Sequence, residues 1–186
     1  MLRIPIGSIT ERGLDMDETV EAALLPLLHA VSSEGDIRFT RPVRLRLHAM
    51  LAGETIRIDG TVTTAVRMPC SRCLERFDLP LSADFSATAA PQQPSMNDTG
   101  AGEDIELSAD EMDVIGYSGD SVDLADEVAQ QVIMALPFKP VCRDTCEGLC
   151  SQCGANLNQA PCRCPSRDEA NPFAVLKTLS FSDDKR

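Results

Sequence analysis

Eight cysteines in four close groups are the residues of this sequence best suited to chemistry: Cys70-x2-Cys73, Cys142-x3-Cys146, Cys150-x2-Cys153 and Cys162-x-Cys164. Thiolates so spaced are metal ligands by type. A two-residue spacer lets both sulfurs of one turn reach the same ion at about 2.3 Å, and zinc takes four such donors in a tetrahedron. The stretch Gly148-Leu149-Cys150-Ser151-Gln152-Cys153-Gly154 carries the strongest signal, because Gly154 tolerates the positive φ of a tight knuckle. Eight thiols make two sets of four. The favoured division puts Cys70, Cys73, Cys142 and Cys146 around one ion, and Cys150, Cys153, Cys162 and Cys164 around a second. The first set would tie a C-terminal tail to the body of the protein; the second would be local. The expected cofactor is structural zinc, one or two ions. An iron–sulfur cluster is the rival, since four thiolates also suit it. Disulfides and free thiols are the remaining alternatives.

Little else in the chain reads as reactive. It has two histidines, His29 in a leucine-rich stretch and His48 among strand-like residues. No Ser/His/Asp order, phosphate loop or paired-carboxylate pattern is present. A metal site filled by four thiolates has no open position for a substrate. The expectation is a protein that is not an enzyme and takes no small-molecule substrate.

The elements that must hold these thiols come from hydropathy. Val43, Leu45, Leu47 and Ala49 alternate with Arg44, Arg46 and His48, and Ile56, Ile58, Val62 and Val66 alternate with polar residues. That period describes two strands with one buried face. Ala52-Gly53-Glu54 between them favours a hairpin. Phe77 to Phe85 reads as a third strand, with Pro80 suited to an edge or a bulge. Short strands are expected at 104–107 and 113–117. Val20, Ala23, Leu24, Leu27, Leu28 and Val31 fall on one helical face, which predicts a helix over 17–32 capped by Asp17 and interrupted at Pro26. A helix over Asp123 to Leu136 has acids in its first turn and is ended by Pro137. Asn171-Pro172 opens a last short helix.

The fold class that follows is α+β: a mainly antiparallel β-sheet with packed helices and a zinc-bound Cys-rich C-terminal segment. Residues 1–139 form the core domain, with a mobile acidic loop near 90–103. Residues 140–186 form the Cys-rich metal-binding tail and a C-terminal helix that docks on the core. The segment 140–165 has too little apolar content to fold unaided, so it needs a staple.

Composition narrows the setting. No apolar run is long enough for a secretory signal or a membrane span, and the longest, 22–31, is broken by Pro26 and His29. The expected address is the cytoplasm, where paired cysteines hold metals more often than disulfides. Net charge is −12, and it is uneven: residues 77–138 hold thirteen Asp/Glu and no Lys or Arg. That block is a solvated surface or a dock for a basic protein. The clustered cations lie elsewhere. Arg44, Arg46 and Arg57 point outward from the expected hairpin, and Arg72 and Arg76 follow it; these are the candidate contacts for RNA phosphates. Stacking aromatics are missing beside them.

Several strings together resemble the bacterial YceD family: Cys70-Ser-Arg-Cys-Leu-Glu-Arg-Phe, Ala-Asp-Glu-Val-Ala-Gln-Gln-Val-Ile-Met-Ala-Leu-Pro at 125–137, Lys139-Pro-Val-Cys, Cys146-Glu-Gly-Leu-Cys-Ser-Gln-Cys-Gly-Ala-Asn-Leu-Asn and Asn171-Pro-Phe-Ala-Val-Leu-Lys. The resemblance runs from about residue 40 to 180. It implies a role in accumulation of large-subunit (23S) ribosomal RNA, hence ribosome biogenesis, and no enzymatic activity. The partner it implies is ribosomal RNA or a large-subunit ribosomal protein. The alternatives are an acidic adaptor for a basic ribosomal protein without RNA contact, and an iron–sulfur or redox protein.

Overall fold

The alternating residues form a long hairpin, and the rest of the fold is arranged around it. In a computed structural model that describes residues 2–92 and 114–164, β3 (Arg38–Ala52) and β4 (Thr55–Pro69) pair antiparallel through the two-residue turn Gly53-Glu54. Gly53 takes φ 67°, a conformation glycine adopts without steric cost. Leu45 faces Val62 and Ala49 faces Ile58 across the ladder, all with buried side chains. The intervening Arg44, Arg46, Arg57, Asp59 and Thr63 lie on the exposed face.

Three further strands complete the sheet. β5 (Arg76–Pro91) runs antiparallel to β4 from Pro69↔Arg76 to Ile56↔Ala89. β2 (Leu14–Val20) pairs antiparallel with β3, and β6 (Val114–Tyr117) pairs parallel with the end of β5. The order is β2-β3-β4-β5-β6. β1 (Arg3–Pro5) and β7 (Ser121–Asp123) form a separate two-stranded ribbon that buries Ile4 and Val122. α2 (Ala125–Met134) packs on β4 and β5 through Val128, Ala129 and Val132, and α1 (Pro26–Glu34) packs on α2. The fold is α+β, with a mainly antiparallel sheet and packed helices.

The region 17–32 is not one helix. Residues 14–20 are the edge strand β2, Ala22–Leu24 is a single 3-10 turn, and α1 begins only at Pro26. Proline is excluded from a helix interior and favoured at the first helical position. Asp17 is therefore no cap: it sits opposite Arg46 in the ladder. Its carboxylate accepts from Arg44 Nε at 2.8 Å and Nη2 at 2.6 Å, and from Arg46 Nε at 3.2 Å. The hydrogen bonds from Arg44 hold Asp17 at about 2, well below the ordinary carboxylate value.

Other expectations are met with shifted ends. The second helix spans Ala125–Met134, and Asp123 Oδ1 accepts the Ala125 N–H at 3.0 Å. Pro80 lies opposite Ala65, on the part of β5 that has β4 as its sole neighbour among the described residues. The short strand expected at 113–117 is β6. Ala90 and Pro91, placed in a loop by the sequence, end β5 and pair with Gly116 and Tyr117. The rest of that loop, the strand at 104–107 and the helix from Asn171 lie outside the described residues. No helix among the described residues is long and apolar enough to cross a membrane.

Candidate metal centres

Where β4 gives way to β5, the chain turns through Cys70-Ser71-Arg72-Cys73-Leu74-Glu75. The Leu74 N–H donates to Cys70 O at 2.9 Å and the Cys70 N–H to Glu75 O at 2.9 Å. The Arg72 N–H points at Cys70 Sγ, 3.4 Å away. The same turn recurs at Cys150-Ser151-Gln152-Cys153-Gly154-Ala155. There Gly154 donates to Cys150 O at 2.9 Å, Cys150 to Ala155 O at 2.8 Å, and Gln152 to Cys150 Sγ at 3.4 Å. Both knuckles need a left-handed residue just after the second cysteine: Gly154 at φ 73° and Leu74 at φ 62°.

Leucine is an unusual occupant of that position, since a left-handed L-residue costs about 1–2 kcal/mol. Its side chain is 64% exposed, so little packing offsets the strain. Leu74→Gly is expected to stabilise the protein by up to about 1 kcal/mol, after glycine's greater freedom in the unfolded chain is subtracted. Urea unfolding of the metal-loaded protein measures it, and a lower midpoint would show that the leucine side chain has a role of its own.

The tail is drawn onto the first knuckle by its backbone. Ser71 N–H donates to Pro140 O at 2.8 Å, and Leu149 N–H to Arg72 O at 3.2 Å. Cys142 N–H points at Cys70 Sγ at 3.4 Å. The Arg72 guanidinium reaches the carbonyls of Asp144 at 3.2 Å and Cys146 at 3.0 Å. In this way the sulfurs of Cys70, Cys73, Cys142 and Cys146 come within 4.8 Å of one another, with Cys70–Cys146 and Cys73–Cys142 each at 3.8 Å. The edge of a tetrahedron with 2.3 Å metal–sulfur bonds is about 3.8 Å, whereas a disulfide needs about 2.05 Å. Cys70, Cys73 and Cys146 are buried, with Phe77, Val141 and Leu149 packed around them. Cys150, Cys153, Cys162 and Cys164 form a second set within 4.8 Å, more exposed than the first.

Asn158, which lies between Cys153 and Cys162 in sequence, reaches back to the first set and is not legible as a site residue from spacing. Its Nδ2 points at Cys146 Sγ at 3.4 Å, while its Oδ1 accepts from Glu147 N at 3.0 Å and Arg143 Nη2 at 2.9 Å. Donors aimed at sulfur favour the thiolate. Burial pushes the Cys70 thiol up, but the N–H groups of Cys142, Cys73 and Arg72 outweigh it and bring it to about 6. The Cys153 and Gln152 N–H groups bring Cys150 to about 6 as well. Burial and the neighbouring sulfurs push Cys142 up to about 12; at Cys164 the Cys153 sulfur comes first, then burial, with the same result. Each cluster thus pairs thiols whose surroundings favour the thiolate, Cys70 and Cys146 in the first and Cys150 in the second, with thiols whose surroundings hold the proton, Cys73 and Cys142 in the first and Cys164 in the second. The donor chemistry fits a soft, four-coordinate ion in each set: Cys70, Cys73, Cys142 and Cys146 would hold one, and Cys150, Cys153, Cys162 and Cys164 the other. Such an ion supplies a cross-link.

The five arginines singled out for RNA are engaged within the protein. Arg44 and Arg46 share Asp17, Arg57 meets Asp59 at 2.9 Å, and Arg76 meets Asp36 at 2.9 Å. Arg72 is spent on carbonyls, as above. The two histidines lie apart: His48 Nδ1 is 2.8 Å from Asp15 Oδ1 on the outer face of the sheet, and His29 is on α1.

Fold and clusters define a class: an α+β protein with two four-cysteine groups, one shared between the β4–β5 turn and the segment after α2, the other within that segment. The chain belongs to the YceD family. The profile of that family, described as large ribosomal RNA subunit accumulation protein YceD, matches residues 58–180. The chain is similar to the chloroplastic large ribosomal RNA subunit accumulation protein YCED homolog 1 of Arabidopsis thaliana, 25% identical over 155 residues, covering 74% of this chain and 48% of that protein. An uncharacterized Mycobacterium leprae protein is 30% identical over 126 residues, covering 67% and 54%. YlbN of Bacillus subtilis, also uncharacterized, is 25% identical over 182 residues, covering 97% and 95%. The chain therefore spans about half the length of the Arabidopsis and Mycobacterium relatives. No solved structure matches it.

Proposed function

We propose that this chain is a non-enzymatic ribosome-biogenesis factor, cytoplasmic, that promotes accumulation of 23S rRNA and of the large ribosomal subunit, with structural zinc in both cysteine clusters. The supporting observation is the pair of closed four-thiol groups in a chain of the YceD family. Closed sites leave no position for a substrate, so the ions hold shape rather than perform chemistry. Their work is to fix the segment 140–164, which has little core of its own, against the β4–β5 knuckle. The fixed surface then meets ribosomal RNA or a large-subunit ribosomal protein.

Two measurements test the reading. Depletion of the protein is expected to lower 23S relative to 16S rRNA, and an unchanged ratio overturns the biogenesis role. Elemental analysis of the native protein is expected to give two zinc ions per chain; iron with a visible absorption band would move the clusters to redox chemistry. A second reading has its own support. With Arg44, Arg46, Arg57 and Arg76 paired to carboxylates and an acidic block at 77–138, an adaptor for a basic ribosomal protein needs no RNA contact. Tight, salt-sensitive binding of such a protein without any RNA binding favours it.

A further inference from the structure

The pairing of β3 with β4 slips twice near its start. Phe39 lies opposite Val66, Arg41 opposite Ala65, and Arg44 opposite Thr63, so β3 carries two more residues than its partner over this span. Two hydroxyls absorb the backbone groups that the slip frees: Thr40 Oγ1 donates to Ala65 O at 3.3 Å and Thr64 Oγ1 to Arg41 O at 2.9 Å. Bulges re-aim side chains and gather beside binding sites. Here the bulge forms one wall of a cleft of about 440 Å³, closed on the other side by α1 and the 3-10 turn before it. That volume is within the roughly 300–1,000 Å³ of small-ligand sites.

The lining has a definite chemistry. Phe39, half-buried, supplies an aromatic wall. Arg38, exposed, is turned onto the Ser32 and Gly35 carbonyls at the end of α1, which fixes one positive charge in the lining. Arg41 is exposed and, unlike those of its neighbours Arg44 and Arg46, its guanidinium makes no hydrogen bond or ion pair among the described residues; its charge is felt at a distance by Asp78. His29 stands at the rim, and Glu21 is the single carboxylate of the lining. An aromatic surface beside an unpaired guanidinium is the arrangement that takes a splayed-out base and its phosphate. We propose that this cleft binds one unpaired nucleotide of a single-stranded RNA, the base against Phe39 and the phosphate on Arg41. The choice of RNA rests on the biogenesis reading above; the cleft is separate from both cysteine clusters and from the paired arginines of the sheet.

Fluorescence anisotropy of the purified full chain with a labelled single-stranded oligoribonucleotide of about twelve nucleotides tests it. Arg41→Glu is expected to weaken binding at least tenfold and to reduce the slope of log affinity against log salt by about 1. Phe39→Leu keeps an apolar side chain in the core and is expected to weaken binding by about 5- to 100-fold through lost stacking. Arg44→Ala, whose guanidinium is already paired, is expected to change it less than twofold. The proposal is overturned if the parent protein binds no RNA, or if Arg41→Glu and Phe39→Leu bind like the parent. It is also overturned if polyglutamate displaces RNA at equal charge, which marks a plain anion site. In depleted cells, full restoration of the 23S to 16S ratio by Arg41→Glu protein removes the cleft and leaves the biogenesis role. Arg41-dependent RNA binding with a ratio that depletion does not alter does the reverse.

Discussion

Cys70→Ser is expected to take the protein from two bound ions to one and to free the segment from Pro140 onward from the sheet. The first cluster joins Cys70 to Cys146, 76 positions apart, so an ion held there would close a long stretch of chain rather than a local loop. A structural zinc site contributes on the order of 10 kcal/mol to the fold it organises. Serine offers a hard oxygen to a soft site and leaves three thiols packed together without a cation. What remains to hold the tail is a handful of hydrogen bonds to Ser71, Arg72 and Glu75, each worth about 1 kcal/mol net, and the small apolar packing of Val141 and Leu149 with Phe77 around the sulfurs. The sheet itself should survive, because its core of Leu45, Ile56, Ile58, Val62 and their neighbours shares only Phe77 with the residues around the sulfurs. Far-UV circular dichroism is therefore expected to change little, while limited proteolysis cuts the tail first. Cys153→Ser also removes one ion, from the more exposed cluster, but should leave residues 140–149 docked. Chelator should likewise empty the second cluster before the first. Metal binding displaces protons from thiols, so both sites are expected to hold their ions at neutral pH and to lose them as the pH falls. Retention of two ions by Cys70→Ser, or an unchanged proteolysis pattern, would count against the cross-link.

The parts of this protein that the sequence discloses are those governed by near neighbours. A two-residue spacer between cysteines dictates a knuckle whatever the rest of the chain does, and strict alternation at 43–49 and 56–66 leaves a half-buried hairpin as the sole economical fold. The hidden parts depend on contacts distant in sequence. Asp17 reads as a helix cap because its partners, Arg44 and Arg46, are 27 and 29 residues away. Its own strand, β2, has Leu14, Met16 and Val20 half-buried, but Glu18, exposed, occupies the place where alternation calls for an apolar residue. The helical spacing of Val20 to Val31 then dominates. Arg72 bonds to carbonyls, which every residue carries, so no spacing encodes it. Pro42 is the one local sign of the slip in β3, since proline within a strand marks an edge or a bulge. The left-handed Leu74 is visible only by analogy with Gly154 in the second knuckle.

The boundary between β2 and α1 makes the second large prediction. Helical spacing places Leu24, Leu27 and Leu28 together on one buried face, which would make their truncations similar in cost. The folded chain separates them: Leu28 is 0% exposed, Leu27 37% and Leu24 73%. Leu28 is the one buried residue of α1, and α1 reaches the body of the protein mainly through α2 and the 3-10 turn. Leu28→Ala is accordingly expected to cost about 2–5 kcal/mol, the range for a leucine removed from a closed core. That is a large share of the 5–15 kcal/mol typical of a whole domain. Leu24→Ala is expected to cost under about 0.5 kcal/mol, as an exposed position should, with Leu27→Ala between the two. Urea midpoints at constant m-value measure all three. Equal costs at the three positions would restore a single amphipathic helix over 17–32 and remove β2. The ordering also bears on the cleft, because Leu28 lies in its wall. Loosening α1 there should raise amide exchange through 26–34 and weaken RNA binding even where the protein remains folded, whereas Leu24→Ala should do neither.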